Sequence, residues 1–164
     1  KDNDVFVRAV AGADWRPGST TTLMGEFYVQ NFGAIDAADY LDITSNPRFL
    51  RGELWQMGRY YAALSVSQEI TSLIMGNVAV IGNLTDPSGL VVAGLSWSVA
   101  DNAAVAAGAY IGAGKKPELV DLSLDMSTGS PSIAMPTDDV LAESVQSEFG
   151  LYPKSFYLQM KTYF

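Results

Sequence analysis

Along most of this chain apolar and polar or small positions alternate with period two, the spacing that sends successive side chains to opposite faces of a strand. The clearest run is Thr20 to Gln30, where Leu23, Gly25, Phe27 and Val29 oppose Thr22, Met24, Glu26, Tyr28 and Gln30. The same alternation predicts strands near Asp4 to Ala13, Leu54 to Ser67, Leu73 to Leu84, Leu90 to Val99 and Ala103 to Ala113. A seventh covers Phe156 to Phe164, with Phe156, Leu158, Met160, Thr162 and Phe164 on one face and Tyr157, Gln159, Lys161 and Tyr163 on the other. Each is about as long as the 9–11 residues a tilted membrane strand needs, or somewhat longer.

The connections sort by length. Asp14 to Ser19 and Thr85 to Gly89 are turns by composition, because Pro fixes φ and Gly permits positive φ, and Gln68 to Ser72 and Ala100 to Asn102 are short reversals between alternating runs. Two polar, acidic stretches, 31–53 and 114–147, read as long loops. Within the second, Val120, Leu122 and Leu124 alternate with Asp121, Ser123 and Asp125, which could extend a hairpin beyond the sixth strand.

The run Phe156-Tyr157-Leu158-Gln159-Met160-Lys161-Thr162-Tyr163-Phe164 resembles the closing strand of a bacterial outer-membrane β-barrel. In that class a terminal Phe preceded by apolar residues at every second position is the insertion signal, so the resemblance implies this role for Phe156, Leu158, Met160 and Phe164. Thr162 departs from the pattern. Such barrels have short periplasmic turns and long extracellular loops. With the C-terminus periplasmic, the short reversals near residues 14–19, 68–72 and 100–102 fall on the periplasmic side; both long loops fall outside, together with the short Thr85 to Gly89 turn, so the sorting by length holds for all but that one connection. The expectation is an all-β protein, an antiparallel up-and-down transmembrane β-barrel in the bacterial outer membrane, with residues 1–164 forming one unit. Seven strands are one short of the smallest even-numbered barrel, so this chain is expected to be the C-terminal part of a larger one. A second polypeptide, a cleaved N-terminal fragment or further copies would supply the remaining strands.

Composition narrows the chemistry. The 164 residues include no Cys and no His, so disulfides, thiolate or imidazole metal sites and a Ser-His-Asp machine are all excluded. A net charge of −8 disfavours nucleic acid as a partner. No window is long and apolar enough to be a spanning helix, and no cofactor is expected.

The strand faces assign candidate residues. Arg8, Glu26, Arg59, Asn77, Ser96, Ser98, Gln159 and Lys161 should line the inner, aqueous face. Lys or Arg on the lipid face would cost about 2–4 kcal/mol at the midplane. Arg8 and Glu26 could pair across adjacent strands. Gly94, Ala104, Ala106 and Gly108 leave room on that face for water or a protein plug. Trp15, Trp55 and Tyr152 near strand ends suit interfacial girdles. Acidic loop residues such as Asp36, Asp39 and Asp42 are read as solvated charge, with divalent cations bridging to lipopolysaccharide phosphates as the alternative. The expected function is a pore or scaffold without enzymatic activity, in contact with lipid and lipopolysaccharide. The rivals are an outer-membrane enzyme working without His, and a soluble secreted β-domain that binds a partner through its acidic loops.

Overall fold

The computed structural model describes residues 5–117, 124–125, 132–133 and 145–163. Seven strands form one antiparallel sheet: β1 (Arg8–Trp15), β2 (Thr21–Gln30), β3 (Tyr60–Thr71), β4 (Ile74–Asn83), β5 (Ser88–Ala100), β6 (Ala103–Ala113) and β9 (Ser155–Thr162). Each strand pairs with its neighbour in sequence, and β9 takes its place beside β6. A separate two-stranded ladder joins β7 (Leu124–Asp125) to β8 (Ser132–Ile133). It lies in the region read as a loop; Val120 and Leu122 fall outside the described residues. The sheet is open, with β1 and β9 as its edges, so these seven strands do not close a barrel among themselves.

Strand positions follow the alternation closely, with two larger corrections. The first strand begins at Arg8 rather than near Asp4 and runs on through Asp14 and Trp15, expected in the turn. The third strand begins at Tyr60 rather than Leu54, which leaves Trp55 in the connection before it. Its far end runs on to Thr71 through an irregular register between Glu69 and Thr71, so that reversal tightens to Ser72–Leu73. The stretch read as a plain loop from residue 31 contains a 3₁₀ turn (Ala37–Asp39), α1 (Tyr40–Ser45) and α2 (Pro47–Leu50). Local capping explains why it is helical. The Asp36 side chain accepts from Ala38 N at 3.1 Å, and Asn46 accepts from Arg48 N at 2.9 Å just ahead of Pro47, where Pro suits a first helical turn.

Connections differ between the two ends of the sheet. At one end lie residues 16–20, Ser72–Leu73 and Asp101–Asn102; at the other lie 31–59, 84–87 and the long excursion between β6 and β9. The first is called the turn end below and the second the loop end.

The register places alternate residues of all seven strands in continuous rows. One row runs Gly12, Glu26, Ala63, Ile81, and another Ser67, Asn77, Gly94, Gly108, Tyr157. The charged strand residues Arg8, Asp14, Glu26, Glu69 and Lys161 all belong to this polar face. The opposite face carries Phe27, Leu64, Val66, Val78, Val80, Leu95, Trp97, Phe156, Leu158 and Met160, and no charged residue.

Among the described residues nothing covers the apolar face. Leu64, Phe156 and Leu158 are 69%, 76% and 78% exposed, and the buried apolar side chains among the described residues reduce to Ala34, Tyr40, Leu54, Tyr61 and Phe149. These lie in the loop-end connections or at the strand ends beside them. A water-soluble sheet would bury one face against a second layer, whereas this one presents a large contiguous apolar surface.

Candidate functional site

The polar face and the buried network at its loop end form the candidate site. Of the residues assigned inward from the alternation, Arg8, Glu26, Asn77, Ser96, Ser98, Gln159 and Lys161 share this one face by register. Arg59 stands just ahead of β3 in the same row. Its carbonyl accepts from Gln30 N at 3.0 Å, and its guanidinium donates to the Gly33 and Asn31 carbonyls, both at 3.1 Å, so it ties down the β2–β3 connection.

The expected Arg8–Glu26 ion pair is not formed. The ion pairs among the described residues are Arg48–Glu53 and Arg51–Glu53, both in the β2–β3 connection. Arg8 instead lies over the Phe6 ring, its guanidinium carbon 5.7 Å from the centroid, while Arg48 stacks on Phe6 and Phe32. Glu26 lies against Gly12, where a Cβ would meet the Glu26 side chain at 3.0 Å.

Gly94 of β5 and Gly108 of β6 make a groove on the polar face. Tyr157 fills the groove they make: a Cβ on Gly108 would lie 2.5 Å from the Tyr157 ring, and one on Gly94 would lie 3.4 Å from its hydroxyl and 2.7 Å from Asn77 Oδ1. Glycine here admits an aromatic ring from the neighbouring strand, while Ser96 and Ser98 continue the polar surface toward the turn end.

At the loop end two segments fold inward over this face. The 3₁₀ turn Phe149–Leu151 packs on Gly112, where a Cβ would meet the Phe149 carbonyl at 2.3 Å, and the Phe149 and Tyr61 rings meet edge to face at 6.4 Å. From the other side α1 delivers Tyr40, which is fully buried. Asn83 at the end of β4 links the two. Its amide donates to Glu148 Oε2 at 2.7 Å and to the Tyr40 hydroxyl at 2.9 Å, while its Oδ1 accepts from Thr85 N at 2.8 Å.

Two carboxylates complete the network. Glu148 accepts from Met57 N at 3.1 Å and from the Tyr61 hydroxyl; Asp86 accepts from Glu148 N at 2.9 Å and from the Tyr40 hydroxyl. Burial holds the Glu148 carboxyl above its ordinary range, with Asp86 adding to the rise and the bonds from Tyr61, Met57 and Asn83 opposing it. Burial, then the contact with Asp86, likewise raises the Tyr40 hydroxyl. Gln30, 1% exposed, closes the rim by donating to the Gly58 and Gln56 carbonyls at 2.8 and 3.0 Å.

The Tyr40 and Tyr61 hydroxyls and the Asn83 amide in this network each have protein partners, while Asp86 Oδ1 is buried without one. Among the described residues no three or more His, Cys, Asp or Glu side chains stand together as a metal site. Asp86 and Glu148 are buried acceptors here; the sequence reads Asp86 as a turn residue and gives Glu148, just past the loop 114–147, no role. The signal that could have found them is polar residues at inward positions where strands end: Gln30, Asn83 and Ser88.

Trp15 stands exposed at the turn end of β1, Trp55 is 73% exposed in the β2–β3 connection, and Tyr152 follows the second 3₁₀ turn. Phe156, Leu158 and Met160 share the apolar face of β9, and Phe164 lies outside the described residues. No protein family, curated protein or solved structure matches this chain.

Proposed function

We propose that the seven strands are part of the wall of a transmembrane β-barrel in a bacterial outer membrane, with the apolar face against lipid and the polar face lining a passive pore. One observation carries this reading: every charged residue of the seven-stranded sheet lies on one face, and the other is apolar and, among the described residues, uncovered. In lipid that distribution is the stable one, because apolar side chains need no second layer while Lys or Arg would cost about 2–4 kcal/mol at the midplane. The loop-length asymmetry supports the orientation, with the turn end periplasmic and the loop end outside.

The lumen narrows at its outer mouth, where α1 and the Phe149–Leu151 turn fold inward. Lipid and lipopolysaccharide are the surroundings, and further strands complete the wall. Two measurements test the reading. Retention of the protein in the membrane pellet through alkaline carbonate, with release by detergent, is expected; extraction into the aqueous phase would sink the membrane assignment. Stepwise conductance in planar bilayers is expected of the complete assembly, and its absence would leave a wall without a pore.

A further inference from the structure

The sheet's two edges carry a directional constraint. β1 runs from the loop end to the turn end, and six antiparallel pairings later β9 runs the same way. The strands therefore cannot close β9 onto β1 with an antiparallel seam. Copies joined head to tail meet the same obstacle, because each junction would set β9 of one copy parallel to β1 of the next. Two inverted copies could pair β1 with β1 and β9 with β9, but the loop ends of the two would then face opposite sides of the membrane.

The groups awaiting partners can be named. Asn31 N donates to the Val7 carbonyl at 3.1 Å, and hydrogen-bonded pairs recur every second residue, so Ala9, Ala11, Ala13 and Trp15 turn their backbone groups toward β2. The N–H and C=O groups of Arg8, Val10, Gly12 and Asp14 consequently point away from the sheet. Tyr163 N donates to the Asn102 carbonyl at 2.9 Å, which by the same rule leaves Phe156, Leu158, Met160 and Thr162 as the free edge of β9.

Neither edge is protected. Both strands are eight residues long, and neither contains Pro or a register shift. Of the devices that discourage edge pairing, Pro and bulges are missing and the charges, Arg8, Asp14 and Lys161, stand on the polar face only; in lipid each unpaired backbone group costs several kcal/mol. We propose that an odd number of further strands, from outside these 164 residues, closes the sheet. The first is antiparallel to β9 and the last antiparallel to β1. Their pattern is fixed by continuity: apolar residues on the side of Leu158 and Ala11, polar or small residues on the side of Gln159 and Val10. The inference rests on the membrane-wall reading and adds the polarity, parity and patterning of the partner strands.

The chain's lack of cysteine makes the test direct. In the membrane of producing cells, Val10→Cys is combined in turn with Tyr157→Cys, Gln159→Cys and Lys161→Cys, and Val10→Cys and Gln159→Cys are also made singly. After oxidation no β1–β9 disulfide and no dimer of this chain is expected. A β1–β9 disulfide would overturn the inference in favour of self-closure or a head-to-tail ring, and a single-cysteine dimer in favour of inverted copies. Amide exchange on the unsubstituted protein covers any variant that fails to fold. The Val10, Gly12, Leu158 and Met160 amides should exchange on the order of 100-fold more slowly than unstructured ones. Free exchange there in carbonate-resistant protein would overturn the partner strands alone, whereas release by carbonate overturns the membrane reading.

Discussion

Tyr157 of β9 lays its ring across Gly108 of β6, so closely that any side chain at position 108 would displace the ring. The Ala93 carbonyl stands equally near, at 2.6 Å, which means that Gly108→Ala disturbs a side chain and a backbone together. Overpacking of this kind costs about 1–3 kcal/mol. Removing the ring with Tyr157→Ala should recover only part of the loss, because the carbonyl stays. Urea unfolding of the two single variants and the double variant in detergent would measure this coupling.

If the polar face lines a pore, as proposed, the same tyrosine borders the conducting path. Tyr157→Ala clears the groove beside Asn77 and Gly94 and should raise single-channel conductance of the assembled barrel, while Tyr157→Phe should leave it nearly unchanged. Equal conductance in all three proteins would mean that the ring does not border the conducting path.

Leu95 and Ser96 are adjacent on β5 and face opposite sides. Leu95→Arg should destabilise the protein by about 2–4 kcal/mol in bilayers, whereas Ser96→Arg should be much better tolerated. Unfolding midpoints in lipid vesicles would decide it. Equal effects would remove the distinction between a lipid face and a lumenal face.

The loop-end fastening should weaken as pH rises. Glu148 has its carboxyl raised in the folded protein, so the native state favours the protonated form. Its contribution is greatest below the ordinary carboxylate range and falls as pH climbs through the raised value, where a second negative charge develops beside Asp86. The groups facing it are Asp86, Tyr61, Asn83, the Met57 amide, Tyr40 and Tyr152, and among the described residues no cationic side chain is bonded to it. Trp55 fluorescence followed over pH should report the loosening, and Glu148→Gln should flatten the profile. An unchanged slope in that variant would locate the titration elsewhere.

Tyr40→Phe tests the same fastening without changing charge. It removes the donor to Asp86 and the acceptor for Asn83, which at about 1–3 kcal/mol for a buried group left unpaired should free the β2–β3 connection for proteolysis. Cleavage near residues 31–59 should speed up while the sheet survives.

Strand order and facing were legible in the sequence because alternation is a local signal, and one misplaced residue would have moved Glu26 and Phe27 to the wrong sides. The terminal motif likewise pointed to β9 through the apolar row Phe156, Leu158 and Met160. The start of β3 was not legible: Leu54, Trp55 and Met57 look like strand residues, yet Glu148, distant in sequence, takes the Met57 amide, and Arg59 is spent holding Asn31 and Gly33. The loop-end network was hidden for the same reason. Tyr40, Asn83, Asp86 and Glu148 lie on four separate segments, and only the folded chain brings their polar atoms together. The Arg8–Glu26 pair failed because alternation fixes the face but not the register: Arg8 stands opposite Gln30 and Glu26 opposite Gly12, four residues further along the strands.

The contrast between the two ends of the sheet also sets an order of assembly. From β3 to β6 every pairing closes a very short loop, so this four-strand meander can zip up by local steps, and the β1–β2 hairpin can form on its own. Joining β2 to β3 spans residues 31–59, and docking β9 on β6 spans the longest connection in the chain. Loop closure rises slowly with length but is slowest for the last of these steps. β9 should therefore arrive after the rest, which makes β6 the transient edge of a six-strand intermediate and the surface that assembly factors would have to guard.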